Sequence, residues 1–330
     1  MPGAAPKGPP TLIVMASPDR PVPTVLSIAG SDSGGGAGIQ ADLKAFARCG
    51  VHGMTAITAI TAQNTVAVDA VHPVPPEMIF AQVKAVADDI GVNAVKIGML
   101  GTADTVCAVR DALELLERGT PIVIDPVMVS ESGAVLLDDE ARQAIVDELM
   151  PLATVITPNL PEARVLAGEA PGRHAAAGEA PAGGHAAAGE APGRHGAPSA
   201  APDDAEALAR ALHEMGPAAV VVTGGHRDEA TDVFFDGSEL HRIAGRRHRD
   251  GAAHGSGCTH SSALAAHLAL GYTPLEAARA ARQIAGAAVR DGLRTLGAGA
   301  GPVDVFDLTG SAARGAVDAP NGPPAARRVT

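Results

Sequence analysis

The sequence predicts a doubly wound α/β fold, with a mostly parallel sheet and helices on both faces. Three observations carry this reading. Short β-branched runs alternate with helical patterns along the chain, as strands joined by crossover helices do. The helical patterns carry recognisable start signals. With 46% hydrophobic residues in 330, the chain can bury a sizeable core.

The first run is VLSIA at 25–29; a glycine-rich loop follows it, then the helix-compatible ADLKAFARCG. MTAIT at 54–58 and AVKI at 94–97 read as the next strands, and Thr102 can cap a helix that ends before Gly119. IVI at 122–124, VIT at 155–157 and AVVVT at 219–223 complete the runs. After His254-Gly255-Ser256-Gly257-Cys258-Thr259-His260 comes the small-residue helix SSALAAHLALG, and Thr273-Pro274-Leu275-Glu276 is a capping box with proline at the first helical position. These elements define one domain over 24–309. Residues 1–23 and 310–330, rich in Ala, Gly, Pro and Arg, read as disordered tails. Residues 168–202 read as a disordered insertion, because the repeats GEAPGRHAAA, GEAPAGGHAAA and GEAPGRHGAP hold no branched apolar residue with which stacked copies would build a core. Its His174, His185 and His195 are better explained by a slipped repeat than by a metal tract.

Composition narrows the function. A net charge of −12 argues against a polyanion partner, and 2% aromatic content leaves no material for base-stacking platforms, so nucleic acid is not expected. Three scattered cysteines, Cys49, Cys107 and Cys258, fit neither a disulfide framework nor a zinc knuckle. With no apolar run long enough to span a bilayer and no secretory signal, the expected location is the cytoplasm.

In doubly wound sheets ligands bind beyond the carboxyl ends of the strands. Gly30 to Gly38 carries five glycines in nine residues, so the backbone can approach a ligand closely, yet the loop matches neither the Walker A pattern nor G-x-G-x-x-G. Gly255, Ser256, Gly257 and Cys258 would present backbone N–H groups at a helix N-terminus, where an oxyanion or phosphoryl group fits. A thiol placed there has a lowered pKa, which makes Cys258 a candidate base or nucleophile; a buried, inert thiol is the bland reading. Asn159 and Glu162, three residues apart at a strand-to-helix junction, either face one hydrated cation or form a surface capping pair.

Seven segments, in order, carry a resemblance to a known family: AGSDSGGGAGIQADLK (29–44), TAQNT (61–65), KIGML (96–100), IDPVM (124–128), ITPNLPEA (156–163), TGGH (223–226) and HGSGCT (254–259). The chain resembles the ribokinase-like small-molecule kinases and, among them, the hydroxymethylpyrimidine/phosphomethylpyrimidine kinases. The resemblance implies a ribokinase-like fold and ATP- and Mg²⁺-dependent phosphorylation of 4-amino-5-hydroxymethyl-2-methylpyrimidine, then of its monophosphate, in thiamine biosynthesis. It implies that Asp42 and Gln63 make polar contacts to the pyrimidine, with Gly30, Met99 and Val127 lining its pocket. It places Thr223, Gly225 and His226 on the nucleotide side, Asn159 and Glu162 near magnesium, and Gly255 to Cys258 in the anion hole. Thr223 stands where many such kinases carry a lysine, and Cys258 where the wider group has an aspartate base. The expected partners are the pyrimidine alcohol, its phosphate and ATP, with no nucleic acid or membrane; a homodimer is compatible with the sequence. Pyridoxal kinase is the alternative enzyme, and a ligand-binding protein that has kept the pocket is the alternative of another class.

Overall fold

The computed structural model describes residues 22–130, 133, 136–169, 202–224, 230–248, 251–308 and 310. The predicted tails up to residue 21 and from 311, residues 170–201 of the insertion, and Gly225 and His226 lie outside the described residues. The described strands are β1 (Thr24–Asp32), β2 (His52–Gln63), β3 (Val68–Pro73), β4 (Ala94–Ile97), β5 (Ile122–Ile124), β6 (Val155–Ile156), β7 (Val220–Val222), β8 (Asp232–Phe235) and β9 (Leu240–Ile243). They form one sheet in the order β3-β2-β1-β4-β5-β6-β7-β8-β9. The core from β2 to β7 is parallel, while β3, β8 and β9 pair antiparallel at the two edges. All six predicted runs are strands. The three edge strands escaped the sequence reading; β3, VDAVHP, is mostly exposed and carries no apolar pattern to announce it.

Eight α-helices cover the sheet: α1 (Gly38–Cys49), α2 (Pro76–Asp89), α3 (Ala103–Leu113), α4 (Asp139–Ala144), α5 (Leu160–Leu166), α6 (Pro202–His213), α7 (Ser256–Ala269) and α8 (Pro274–Arg290). A π-helical turn, Ile145–Leu149, continues α4. Thr102 caps α3, accepting from the Thr105 N–H, and the Thr273/Glu276 capping box starts α8. Side-chain alternation divides the strands between two cores. Leu26, Ile28, Val95, Ile97 and Ile124 face α2 to α6, with Ile79, Val83, Val109 and Leu212 opposite them. Val25, Ala94, Val123 and Val155 face α1, α7 and α8, which offer Phe46, Ala263, Ala266 and Ala281. No helix among the described residues is long and apolar enough to cross a membrane.

The second face changes character toward the carboxyl ends of the strands. Where the alternation calls for apolar residues, Ser27, Lys96, Asp125 and Asp232 are buried instead. Burial of this kind is tolerated only where the groups satisfy one another, so this end of the sheet is the place to look for chemistry.

The insertion joins α5 to α6, and its flanks are held together by an ion pair between Arg164 Nη2 and Asp204 Oδ2 at 2.7 Å. Because the chain leaves and re-enters at neighbouring points, replacing Glu169–Ala201 with a short Gly/Ser linker should change stability by no more than ~1 kcal/mol and leave turnover intact. Thermal denaturation and a kinase assay check this; loss of soluble protein or of activity would show that the repeat is part of the working fold.

Candidate active site

A cavity of about 420 Å³ opens beyond the carboxyl ends of the central strands. Of the residues proposed from sequence, Gly30, Gln63, Met99, Val127, Asn159, Glu162, Thr223 and Gly255 to Cys258 all line it. Distant segments meet here because parallel strands deliver their ends to one edge: Gly98 N–H donates to Ile28 O, Asp125 N–H to Ile97 O and Thr157 N–H to Ile124 O, each at 2.9 Å.

One wall is the start of α7. Gly255, at φ 82°, is its N-cap and offers no side-chain cap. Ser256 N–H donates to Ala253 O and Thr259 N–H to Gly255 O, both at 2.9 Å. The N–H groups of Gly257 and Cys258 lie between them at the positive end of a 14-residue helix, with no acceptor among the described residues. Uncommitted donors at a helix start favour an anion, here toward the cavity. Glycine is required at 255: its φ is in the left-handed region, and a Cβ would overlap the carbonyl oxygen of Gly36 in the glycine-rich loop.

The floor is a charge cluster. Lys96, fully buried on β4, donates to Asp42 Oδ1 at 2.9 Å and Oδ2 at 3.1 Å, and lies 3.9 Å from Asp125 Oδ2. Ser262 and Ser27 donate to the same Asp42 carboxylate at 2.7 and 2.6 Å, and Ser261 donates to Asp125 at 3.0 Å. Burial alone would lower the pKa of Lys96, but the negative groups around it, Asp42 foremost, hold it above the usual lysine range. Burial raises Asp125, and Asp42 adds to the rise.

This arrangement corrects two expectations. Asp42 is not a substrate contact: it is fully buried, does not line the cavity, and all its hydrogen-bonding capacity goes to Lys96, Ser27 and Ser262. The Cys258 thiol is not acidified by its helix. Burial pushes it up to about 12, with Asp42 and Asp125 adding to the rise and Lys96 and the Gly38 N–H opposing it only in part. The helix-end field is real, but it competes with two carboxylates and the loss of water.

Asn159 and Glu162 take the capping role. They form a reciprocal capping box on α5: Asn159 Oδ1 accepts from the Glu162 N–H and Glu162 Oε2 from the Asn159 N–H, both at 2.9 Å. The pair is not on the surface, however; it faces the cavity. Burial, with Asp125 adding, pushes the Glu162 carboxyl up to about 8. Beside it, Thr223 N–H donates to Pro158 O at 2.9 Å, bringing the end of β7 next to that of β6.

Sequence reasoning missed several lining groups: Asp32, Lys96, Asp125, His254, His260 and Arg282. Two were visible as anomalies, a lysine inside the apolar run AVKI and an aspartate directly after IVI. Arg282 and His260 were not, since only the fold gathers them around the buried Asp232: His260 Nε2 lies 3.3 Å from Asp232 Oδ2 and Arg282 Nη1 3.7 Å from Oδ1.

Comparison with known proteins agrees with this geometry. A family model described as phosphomethylpyrimidine kinase matches residues 32–183 and 195–304. The hydroxymethylpyrimidine/phosphomethylpyrimidine kinase of Rhizobium meliloti is 45% identical over 286 residues, covering 85% of this chain and 96% of the relative. That of Streptomyces coelicolor is 40% identical over 293 residues, covering 88% and 97%. Among solved structures, the ADP complex of Bacillus subtilis pyridoxal kinase is similar at a TM-score of 0.72 and 35% identity, covering 88% of this chain and 99% of that one. The phosphomethylpyrimidine kinase of Clostridium difficile 630 is similar at a TM-score of 0.62 and 37% identity, covering 79% and 96%. With its mostly parallel sheet, its uncapped helix start at the cavity and these likenesses over most of its length, the chain belongs to the phosphomethylpyrimidine kinase family, phosphotransferases of ribokinase-like fold.

Proposed function

We propose that the chain transfers the γ-phosphoryl group of ATP to the hydroxymethyl oxygen of 4-amino-5-hydroxymethyl-2-methylpyrimidine, and then phosphorylates the resulting monophosphate, in thiamine biosynthesis. The observation that carries the reading is the pair of free N–H groups at Gly257 and Cys258 opening onto the same cavity as Gln63, Gly30, Met99 and Val127. Phosphoryl transfer asks little covalent chemistry of a protein; it needs the acceptor held in line and the charge on the transferring group met by fixed donors. The α7 start supplies the donors, and the wall from Gly30 to Val127 holds the acceptor ring. The nucleotide lies toward Thr223, with Gly225 and His226 following it in the chain. Cys258 rests as a thiol and must release its own proton to solvent before its sulfur can act as a base; the acceptor proton then leaves late, as the bond to phosphorus forms, and restores the thiol.

Glu162 and Asp125 fit a role in holding Mg²⁺. Burial raises both carboxyls, and Asp125 raises Glu162 further, so a divalent cation held by them would relieve the cost of ionising both. Among the described residues no three His, Cys, Asp or Glu side chains form a closed cage, which suits an ion that takes one or two carboxylates and completes its shell with phosphates and water. When bound, Mg²⁺ neutralises charge on the β- and γ-phosphates.

Three outcomes follow. In EDTA, folded Glu162 keeps its proton to about pH 8 while the unfolded chain ionises near 4.5. The native state therefore binds more protons in that window, and wild-type stability falls as pH rises through it. Glu162→Gln removes this slope, so its melting temperature relative to wild type should climb between pH 5 and pH 8, by an amount equivalent to about 1–3 kcal/mol, while its turnover drops; parallel pH curves would contradict the assignment. Cys258→Ser keeps the backbone donor but exchanges the thiol for a hydroxyl that gives up its own proton far less readily, so kcat should fall at least ~10-fold with KM for the pyrimidine changed less; a wild-type kcat would leave the sulfur no part in the proton's path.

Pyridoxal kinase is the second reading, favoured by the TM-score of 0.72 to the Bacillus subtilis enzyme against 0.62 to the Clostridium difficile one. Gln63 weighs against it. It lines the cavity, where its amide offers a donor and an acceptor that together match the ring nitrogen and exocyclic amine of an aminopyrimidine. Pyridoxal lacks that edge. Catalytic efficiency with the hydroxymethylpyrimidine should exceed that with pyridoxal at least ~10-fold, and Gln63→Ala should narrow the gap; equal or better efficiency with pyridoxal in a side-by-side assay would promote the second reading.

A further inference from the structure

We infer that Asp32 and His254 form a latch that locks the glycine-rich loop onto the start of α7, which makes His254 a positioning residue for phosphoryl transfer. The inference rests on the kinase reading above.

Asp32 ends β1 and is only 3% exposed. Its carboxylate organises the loop that follows: Oδ1 accepts from the Gly34 N–H at 2.8 Å, and Oδ2 from the N–H groups of Gly36 at 3.0 Å and Ala37 at 2.8 Å. The same Oδ2 lies 3.2 Å from Nε2 of His254, a residue 222 positions away and 6% exposed. His254 is fixed on its other side by main-chain bonds to the segment after α8: its N–H donates to Gly301 O at 3.3 Å, and its carbonyl accepts from the Val303 N–H at 3.1 Å.

There is no slack between the two pieces. The imidazole of His254 occupies the space a Cβ on Gly36 would need, and the Cα of Gly255 packs directly on the Gly36 carbonyl. A shift of the loop must therefore move His254 and Gly255, and with them the N–H groups of Gly257 and Cys258. The loop runs from Gly30, on the acceptor wall, while Gly257 and Cys258 face the transferring group. The latch thus sets the distance between the two reacting partners, a distance to which in-line transfer is steeply sensitive. Nothing in this role calls for His254 itself to take up a proton. A side chain that presents an N–H at the place of Nε2 should suffice, and glutamine does so.

The experiment compares wild type, His254→Ala, His254→Gln and Asp32→Asn with ATP, Mg²⁺ and the hydroxymethylpyrimidine, alongside hydrogen exchange of the free proteins. The latch predicts that His254→Ala lowers kcat at least ~10-fold with KM for ATP changed less than ~3-fold. It predicts that His254→Gln recovers to within ~3-fold of wild type, and that Asp32→Asn combined with His254→Ala is no worse than the poorer single variant. Amides of 33–38 and 254–258 should exchange faster together in His254→Ala, with those of β4 and β5 unchanged. A wild-type kcat in His254→Ala, failure of glutamine to rescue, or faster exchange in only one of the two segments would overturn the latch. If His254→Ala does not fold, Asp32→Asn carries the same kinetic and exchange comparison. A wild-type enzyme inactive on the pyrimidine would refute the kinase reading, while the exchange result would still decide the latch.

Discussion

The ion pair between Lys96 and Asp42 is the constraint on which the rest of the site depends. Both side chains are completely removed from solvent, where an unpaired charge would cost several kcal/mol. The cost is met by saturation: Asp42 of α1 takes donors from β1 (Ser27), β4 (Lys96) and α7 (Ser262). Four elements are thereby held together at the carboxyl end of the sheet. Removing either charge would leave the other buried and uncompensated, so α1 and α7 cannot slide over the strands without breaking the network. Such geometric definition suits an enzyme whose chemistry is mostly positioning.

The small side chains of α7 make this possible. Ser261, Ser262, Ala263, Ala265 and Ala266 are all fully buried, and a helix faced with such residues can lie close enough to β4 and β5 for its hydroxyls to reach Asp42 and Asp125. The same close approach brings Cys258, in the first turn of α7, within electrostatic reach of Lys96. The cation beside the helix start is one already committed to two carboxylates. The balance explains why Cys258 is held as a thiol rather than a thiolate: its proton is retained against a helix end and an ammonium because burial and two negative neighbours outweigh them.

Across the cavity, Glu162 follows the same logic with the opposite outcome. Its capping bonds to Asn159 orient the carboxyl, yet burial and Asp125 make ionisation costly. A structural cap thus doubles as a carboxylate whose charge becomes favourable only when a cation and phosphates arrive. The two walls differ in kind, one presenting uncommitted backbone N–H groups to the cavity and the other carboxyl groups.

Much of what is set by chain neighbours was legible in the sequence. The six central strands, the caps at Thr102 and Thr273, the free helix start at Gly255 and the Asn159/Glu162 pair follow from apolar runs and local hydrogen-bonding chemistry, both of which act between chain neighbours. The strands β3, β8 and β9 were not read: the edge strand β3 is mostly exposed and leaves no apolar pattern, and β8 and β9 are runs of only four residues, β8 opening on a buried aspartate. The direction in which Asp42 points was likewise hidden: a polar residue beside a glycine-rich loop reads as a ligand contact until a lysine 54 positions later is folded beneath it. The contact between Asp32 and His254 spans 222 positions. Such pairings, and the pKa values that follow from them, depend on which side chains tertiary packing removes from water together, and no local pattern encodes that.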